Sequence, residues 1–210
     1  FKRCGKLIVA TNDEEHSRLL RLYERGQKNN LEVELLNADE LREREPKISG
    51  SGAIFVPATG ITDYVKICER MMQLLQGLGS EVRLGSHVSS INETDREVTV
   101  QLIDGIKLKA SFLIACAGLQ ADRIAAKMQI PEDFRIVPYR GEYFRLPPSL
   151  NEIVEHLIYP VPNPDLPFLG VHLTRMIDGS ITVGPNAVQG WKREGYGRFN
   201  ASPRDLANLF

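Results

Sequence analysis

The chain has 210 residues, 42% of them hydrophobic and 25% charged, with a formal net charge of -1. That is enough for one large domain or two small ones of ordinary soluble composition, and so small a charge gives no support to a nucleic-acid or anionic-membrane role. No apolar run reaches the length of a spanning helix, and no charged start followed by an apolar stretch reads as a secretory signal. Three widely spaced cysteines, Cys4, Cys68 and Cys116, contain no CxxC pair, which argues against a disulfide framework or zinc site and fits a reducing compartment. His16, His87, His156 and His172 show no ligand spacing, so no metal is expected.

Taken in order, Cys4 to Thr11 (CGKLIVAT) reads as an interior strand centred on Leu7 to Val9. Thr11-Asn12-Asp13-Glu14 is a helix start with a capping residue and early acids. His16 to Asn29 carries Leu19, Leu20, Leu22 and Tyr23 at helical spacing, the pattern of an amphipathic surface helix. Asn37-Ala38-Asp39-Glu40 opens a second short helix, LREREP, closed by Pro46. Gly50 to Pro57 is loop and then strand. A long amphipathic helix follows from about Tyr64 to Leu78, its methionines read as core filler.

Short strands are expected at Glu81 to Leu84 and His87 to Ile91. A hairpin is expected from Val98 to Leu102 and Ile106 to Lys109 across Asp104-Gly105. Ser111 to Cys116 (SFLIAC) reads as a buried strand that turns at Ala117-Gly118 into a helix, Leu119 to Met128. A strand, a small-residue turn and a helix N-terminus allow close backbone approach to a ligand, although every such unit has a turn of this kind. The order suggests a mixed α/β nucleotide-binding layer. The full GxGxxG fingerprint is absent, because Gly50-Ser51-Gly52 and Gly195-Tyr196-Gly197 lack its context.

From Phe134 an antiparallel sheet begins, and its two telling stretches are Pro138 to Leu146 (PYRGEYFRL) and Phe168 to Pro185 (FLGVHLTRMIDGSITVGP). In the first, Arg140, Glu142 and Phe144 share a face opposite Tyr139, Tyr143 and Arg145. In the second, Leu169, Val171 and Leu173 oppose Gly170, His172 and Thr174. Asp178-Gly179 turns the chain, and Ile181 and Val183 resume the pattern. A face carrying Arg, Tyr, His and Thr is chemically suited to gripping a small carboxylate, and it is also compatible with ordinary cross-strand pairs on a wet face.

Several segments carry a family resemblance: NADELREREP, GAIFVP, CAGLQADR, PYRGEYFRL and HLIYPVPNPDLPFLGVHLTRMIDGSITVGPNAV. Across nearly all 210 residues the chain resembles the FAD-dependent oxidoreductases of the D-amino-acid oxidase and glycerol-3-phosphate dehydrogenase type, and within them the L-2-hydroxyglutarate oxidase/dehydrogenase family. The resemblance implies an α/β (α+β) fold, with part of an FAD-binding layer and a substrate domain built on an antiparallel sheet with helices. It implies a substrate domain from 1–57 and 134–200, an FAD-domain part at 58–133, and the start of a helix at 201–210. The chain opens on an apparent interior strand and stops within an apparent helix. It therefore reads as a piece lacking the glycine-rich FAD fingerprint and the closing C-terminal segment, expected by itself to bind FAD poorly or not at all and to be inactive.

The implied reaction is oxidation of the C2 alcohol of L-2-hydroxyglutarate to 2-oxoglutarate by hydride transfer to FAD. Alternatives are another small acid, such as glycerol 3-phosphate or an amino acid, and a non-catalytic binding module. Val88, Ala117 and Gly118 are the implied cofactor contacts. Arg140 and Arg175 are the candidate carboxylate partners, because a guanidinium fork pairs bidentately. Tyr143, Tyr159 and Thr174 would serve as neutral donors. His172 is the candidate base, imidazole being the side chain suited to proton transfer near neutrality. The implied partners are a small dicarboxylate and, as electron acceptor, oxygen or a membrane quinone. The implied location is cytoplasmic, with peripheral attachment to the inner membrane as its variant.

Overall fold

A computed structural model describes residues 1–131, 133–166, 170–197 and 199–207. The chain runs through β1 (Lys2–Arg3), β2 (Lys6–Ala10), α1 (Asp13–Lys28), β3 (Glu34–Asn37), α2 (Ala38–Arg44), β4 (Gly52–Val56), β5 (Gly60–Ile61) and α3 (Tyr64–Gly77). It continues through β6 (Val88–Glu93), β7 (Val98–Leu102), β8 (Lys107–Ala110) and α4 (Ala121–Lys127). Then come β9 (Tyr139–Arg145), β10 (Leu157–Pro160), β11 (His172–Arg175), β12 (Ile181–Gln189) and α5 (Pro203–Leu206). Mixed α/β character is borne out.

Residues 1–68 and 141–187 form one compact unit, and residues 69–140 with the described part of 188–210 form another. These bounds differ from the expected 1–57 with 134–200 and 58–133: residues 58–68 group with the first unit, and 134–140 and the described part of 188–200 with the second.

The first unit is organised on a seven-stranded sheet in the order β3-β4-β2-β10-β11-β12-β9. β2 and β10 are parallel neighbours, with Lys6 opposite Leu157 and Ile8 opposite Tyr159. β10 meets β11 antiparallel at Ile158 and Leu173, and β11 pairs antiparallel with β12, His172 opposite Gly184 and Thr174 opposite Thr182. Two-residue alternation divides β2 between two cores. Leu7 and Val9 join Leu41, Val154, Ile158 and Ile181 on one face, while Ile8 and Ala10 meet Leu19, Leu22 and Tyr23 of α1 on the other.

The helix ends follow local chemistry. Asn12 Oδ1 accepts from the Glu15 N–H at 2.9 Å, closing the first turn of α1. At α2, Asn37 accepts from Glu40 N–H while the Glu40 carboxylate accepts from Asn37 N–H at 2.7 Å, a reciprocal capping box. The expected turn at Asp178-Gly179 forms, with Gly179 at φ +86° and Asp178 Oδ1 accepting from Ser180 N–H at 3.0 Å. Phe168 and Leu169 of the expected alternation lie outside the described residues, as do residues 208–210 of the expected terminal helix.

The second unit contains the three-stranded antiparallel sheet β6-β7-β8, with the β7–β8 hairpin turning at Gly105 (φ +88°). Two expectations fail here. Glu81 to Leu84 forms no strand, and Ser111 to Cys116 forms neither a strand nor a buried segment, with Phe112 87% and Ile114 86% exposed. α3 forms over nearly the expected span, yet it buries none of its residues, and Met71 is exposed rather than core filler. The physical reason is common to both. Periodicity and apolar content specify a surface that benefits from cover, but they do not supply the covering element.

Below α4 a buried charge cluster holds the second unit together. Arg193, with 2% of its side chain exposed, forms a two-pronged ion pair with Asp122 and donates to Leu119 O at 2.9 Å. Asp205 accepts from Arg193 N–H at 3.1 Å and pairs with Arg123. The hydrogen-bonded Arg193 guanidinium holds the Asp122 carboxyl down at about 2, from an ordinary 3.8, against the opposing effect of burial.

Candidate active site

The side chains singled out from the sequence fall on one face of the first unit's sheet because β10 and β11 lie side by side. Ile158 and Leu173 point to the larger core, so their neighbours Tyr159, His172 and Thr174 share the opposite face. His172 is 7% exposed. Its ring stacks on Tyr159 with centroids 4.0 Å apart and planes 15° apart, and meets Tyr143 edge-on at 6.3 Å. Burial pushes the Tyr159 phenol above its usual range, against an opposing influence of Thr174, so it stays a neutral donor at pH 7.

The imidazole has a defined tautomer. His172 Nδ1 lies 3.0 Å from the Gly170 carbonyl oxygen, which can only accept, so Nδ1 carries the proton. In the neutral ring the lone pair is therefore on Nε2. A hollow of about 280 Å³ borders Tyr159 and His172, with Thr11, Glu15, Ser49 and Val171 also on its wall. Gly184, opposite His172, lets the β12 backbone approach Tyr143. A Cβ there would lie 2.8 Å from Tyr143 Cδ1 and 2.7 Å from Glu142 O.

The two arginines expected to complete this site are placed otherwise. Arg175 lies one residue beyond Thr174 and so projects to the other face. There Nη1 donates to Val154 O at 3.0 Å, and Nη2 reaches the Glu152 carboxylate at 3.2 and 3.3 Å. Its expected place beside His172 is therefore corrected. Arg140 belongs to the second unit, donates to Gly197 O at 2.8 Å, and by alternation faces away from Tyr143 along β9.

Lys6 is the residue on this face that sequence reading overlooked, its Nζ standing 5.2 Å from the Tyr159 ring centroid. The signal was available as a polar residue alternating with Ile8 and Ala10 in an otherwise apolar strand. Glu45, in the charged LREREP segment, is 1% exposed. Its Oε1 accepts from Glu155 N–H, His156 N–H and His156 Nδ1 at 2.7 to 2.9 Å, tying down the segment that leads into β10.

Val88 and Ala117, expected to touch a cofactor, border one cavity of about 720 Å³ in the second unit, together with Arg123, Lys127, Lys192 and Arg204. Gly118 adjoins it in sequence with φ +50°, and a Cβ there would meet nothing within 4 Å. Small residues and cations around an open cavity fit the phosphate-bearing half of a dinucleotide.

The chain is similar to known proteins in both sequence and fold. The family profile described as FAD dependent oxidoreductase (DAO) matches residues 1–210. L-2-hydroxyglutarate dehydrogenase of Escherichia coli K12 is 51% identical over 209 residues, covering 100% of this chain and 50% of that protein. The mitochondrial L-2-hydroxyglutarate dehydrogenase of Homo sapiens is 39% identical, over 100% of this chain and 48% of its own length. The chain thus spans about half the length of the curated relatives it matches. Among solved structures, an FAD-bound L-alpha-glycerophosphate oxidase from Mycoplasma pneumoniae superposes with a TM-score of 0.83 at 23% identity, over 99% of this chain and 56% of that one. Glycine oxidase from Geobacillus kaustophilus gives 0.76 at 18% identity, over 99% of this chain and 52% of the other, a likeness of fold. This chain belongs to the FAD-dependent oxidoreductases of the DAO family.

Proposed function

We propose that this chain supplies the substrate-gripping sheet and part of the cofactor layer of an enzyme that oxidises L-2-hydroxyglutarate to 2-oxoglutarate. The supporting observation is the sheet face of His172, Tyr159, Thr174 and Tyr143, in a chain half identical to a protein named for that substrate. On this reading the sheet face of His172 holds the acid, and Val88, Ala117 and Gly118 are contacts for FAD. When bound, FAD supplies the two-electron acceptor for the C2 hydrogen.

The protein's own part is placement and proton transfer. His172 Nε2 takes the C2 hydroxyl proton as the C2–H bond breaks and the C2 carbonyl forms. The Gly170 carbonyl keeps the opposite nitrogen protonated, so the basic atom is presented without rotation of the ring. Tyr143, Tyr159 and Thr174 donate hydrogen bonds to substrate oxygens. Stacking on Tyr159 fixes the imidazole plane and keeps water off one side of it.

The acceptor that returns the flavin to its oxidised state is oxygen or a membrane quinone, at a cytoplasmic or peripheral inner-membrane location. No helix among the described residues is long and apolar enough to cross a membrane. Anaerobic titration of the intact, FAD-loaded enzyme, rather than of this chain alone, with a panel of acids tests the substrate assignment. L-2-hydroxyglutarate should bleach the flavin band, whereas its D-isomer, glycerol 3-phosphate and amino acids should leave it intact. Bleaching by glycerol 3-phosphate or an amino acid in its place would move the enzyme to another substrate class, and no bleaching by any acid would support a binding module.

A further inference from the structure

We propose that Lys6 pairs with the distal carboxylate of the substrate and is the residue that makes the site select a dicarboxylate. This deepens the reading above and rests on it. The register of β2 against β10 places Lys6 beside Leu157, and alternation puts its side chain on the face of Ile8, Tyr159, His172 and Thr174. Its ammonium lies 5.2 Å from the centre of the Tyr159 ring, whose stacking separation from His172 is 4.0 Å.

Lys6 is a half-buried cation on this face. Arg18, Arg44, Arg145 and Arg175 each have a carboxylate partner. Among the described residues Lys6 Nζ meets neither a carboxylate nor a hydrogen-bond acceptor, only the face of Tyr159. A half-buried ammonium over an aromatic ring still has donor capacity to offer an anion.

The spacing suits a five-carbon diacid. Laid end to end, the two ring separations put Lys6 Nζ at most about 9 Å from the imidazole centre. An extended 2-hydroxy diacid with a hydrogen bond at each end covers about 10 Å. With the C2 hydroxyl at His172 Nε2, the distal carboxylate reaches Lys6 and the two methylenes pass the edge of the Tyr159 ring, which lies between the two anchors. Arg175, on the other side of the sheet, is not positioned for this role.

The test compares L-2-hydroxyglutarate with L-2-hydroxypentanoate, in which a methyl replaces the distal carboxylate, in the intact FAD-loaded enzyme as wild type, Lys6→Met, Lys6→Gln and Lys6→Arg. A charge-assisted contact of this kind is worth about 10- to 100-fold in affinity. Lys6→Met and Lys6→Gln should therefore raise KM for hydroxyglutarate by about that factor while changing KM for hydroxypentanoate by less than about twofold. The limiting rate of flavin reduction should stay within a few fold, and Lys6→Arg should recover most of the discrimination. Equal losses for both acids, or retained discrimination in the neutral variants, would overturn the role of Lys6. A wild-type flavin that hydroxyglutarate fails to reduce would overturn the proposed reaction itself, a different result. Should Lys6→Met fold poorly, the Lys6→Gln ratio between the two acids decides.

Discussion

His172 and Asp122 are both buried, and their partners give them opposite tasks. His172 has a carbonyl on one nitrogen and aromatic rings around it, which orient the ring without neutralising its other nitrogen. Asp122 is bracketed by Arg193 and by the Arg123 N–H, so its charge is consumed in holding the second unit together. The sign of the pH effect follows from its depressed value of about 2. A carboxyl whose folded pKa lies below its unfolded one stabilises fully above the unfolded value, and that contribution is lost as pH falls through the folded one. The Asp122 contribution, about 2 kcal/mol, should be intact above about pH 4 and gone below about pH 2. Denaturation of wild type and Asp122→Asn across this range checks it. Wild type should lose stability over the window by more than the variant does. At pH 7 the variant should be weaker by about 3–5 kcal/mol, because Arg193 is left buried without its partner. Parallel pH curves for the two proteins would contradict this role.

At the scale of elements, α1 and α3 make a controlled comparison, since both are amphipathic by spacing. α1 packs Leu19 onto the sheet against Ala10 of β2 and Ile54 of β4, where it is fully buried, whereas Leu75 of α3 is 47% exposed. Leu19→Ala should cost about 2–5 kcal/mol by chemical denaturation, and Leu75→Lys should stay within about 0.5 kcal/mol of wild type. The caps of α1 and α2, the β7–β8 hairpin and the Asp178-Gly179 turn were legible in the sequence because their causes lie within four residues. SFLIAC was misjudged for the complementary reason. Its apolar run was read as burial, but burial is set by what packs on a segment, and Phe112 and Ile114 stand exposed.

At the scale of the whole molecule, strand order decides which candidate residues meet, and it was the least legible feature. Nothing local to residues 6–10 announces that they will lie parallel to residues 157–160, about 150 positions later. That pairing brings Lys6 to Tyr159, and the adjoining β11 brings His172 onto the same ring. The period-two rule identified the shared face of His172 and Thr174 correctly. Applied strictly, it also excludes Arg175, which the attraction of an arginine near a histidine had placed with them.

The assignment of roles stands or falls on His172. Rapid mixing of the FAD-loaded enzyme with L-2-hydroxyglutarate under anaerobic conditions measures the step it is proposed to assist. His172→Ala should slow flavin reduction by about 10²–10⁴-fold at saturating acid, with a much smaller change in the acid's apparent affinity. Reduction in the variant at the wild-type rate would remove the imidazole from proton transfer and leave the sheet face a binding surface only.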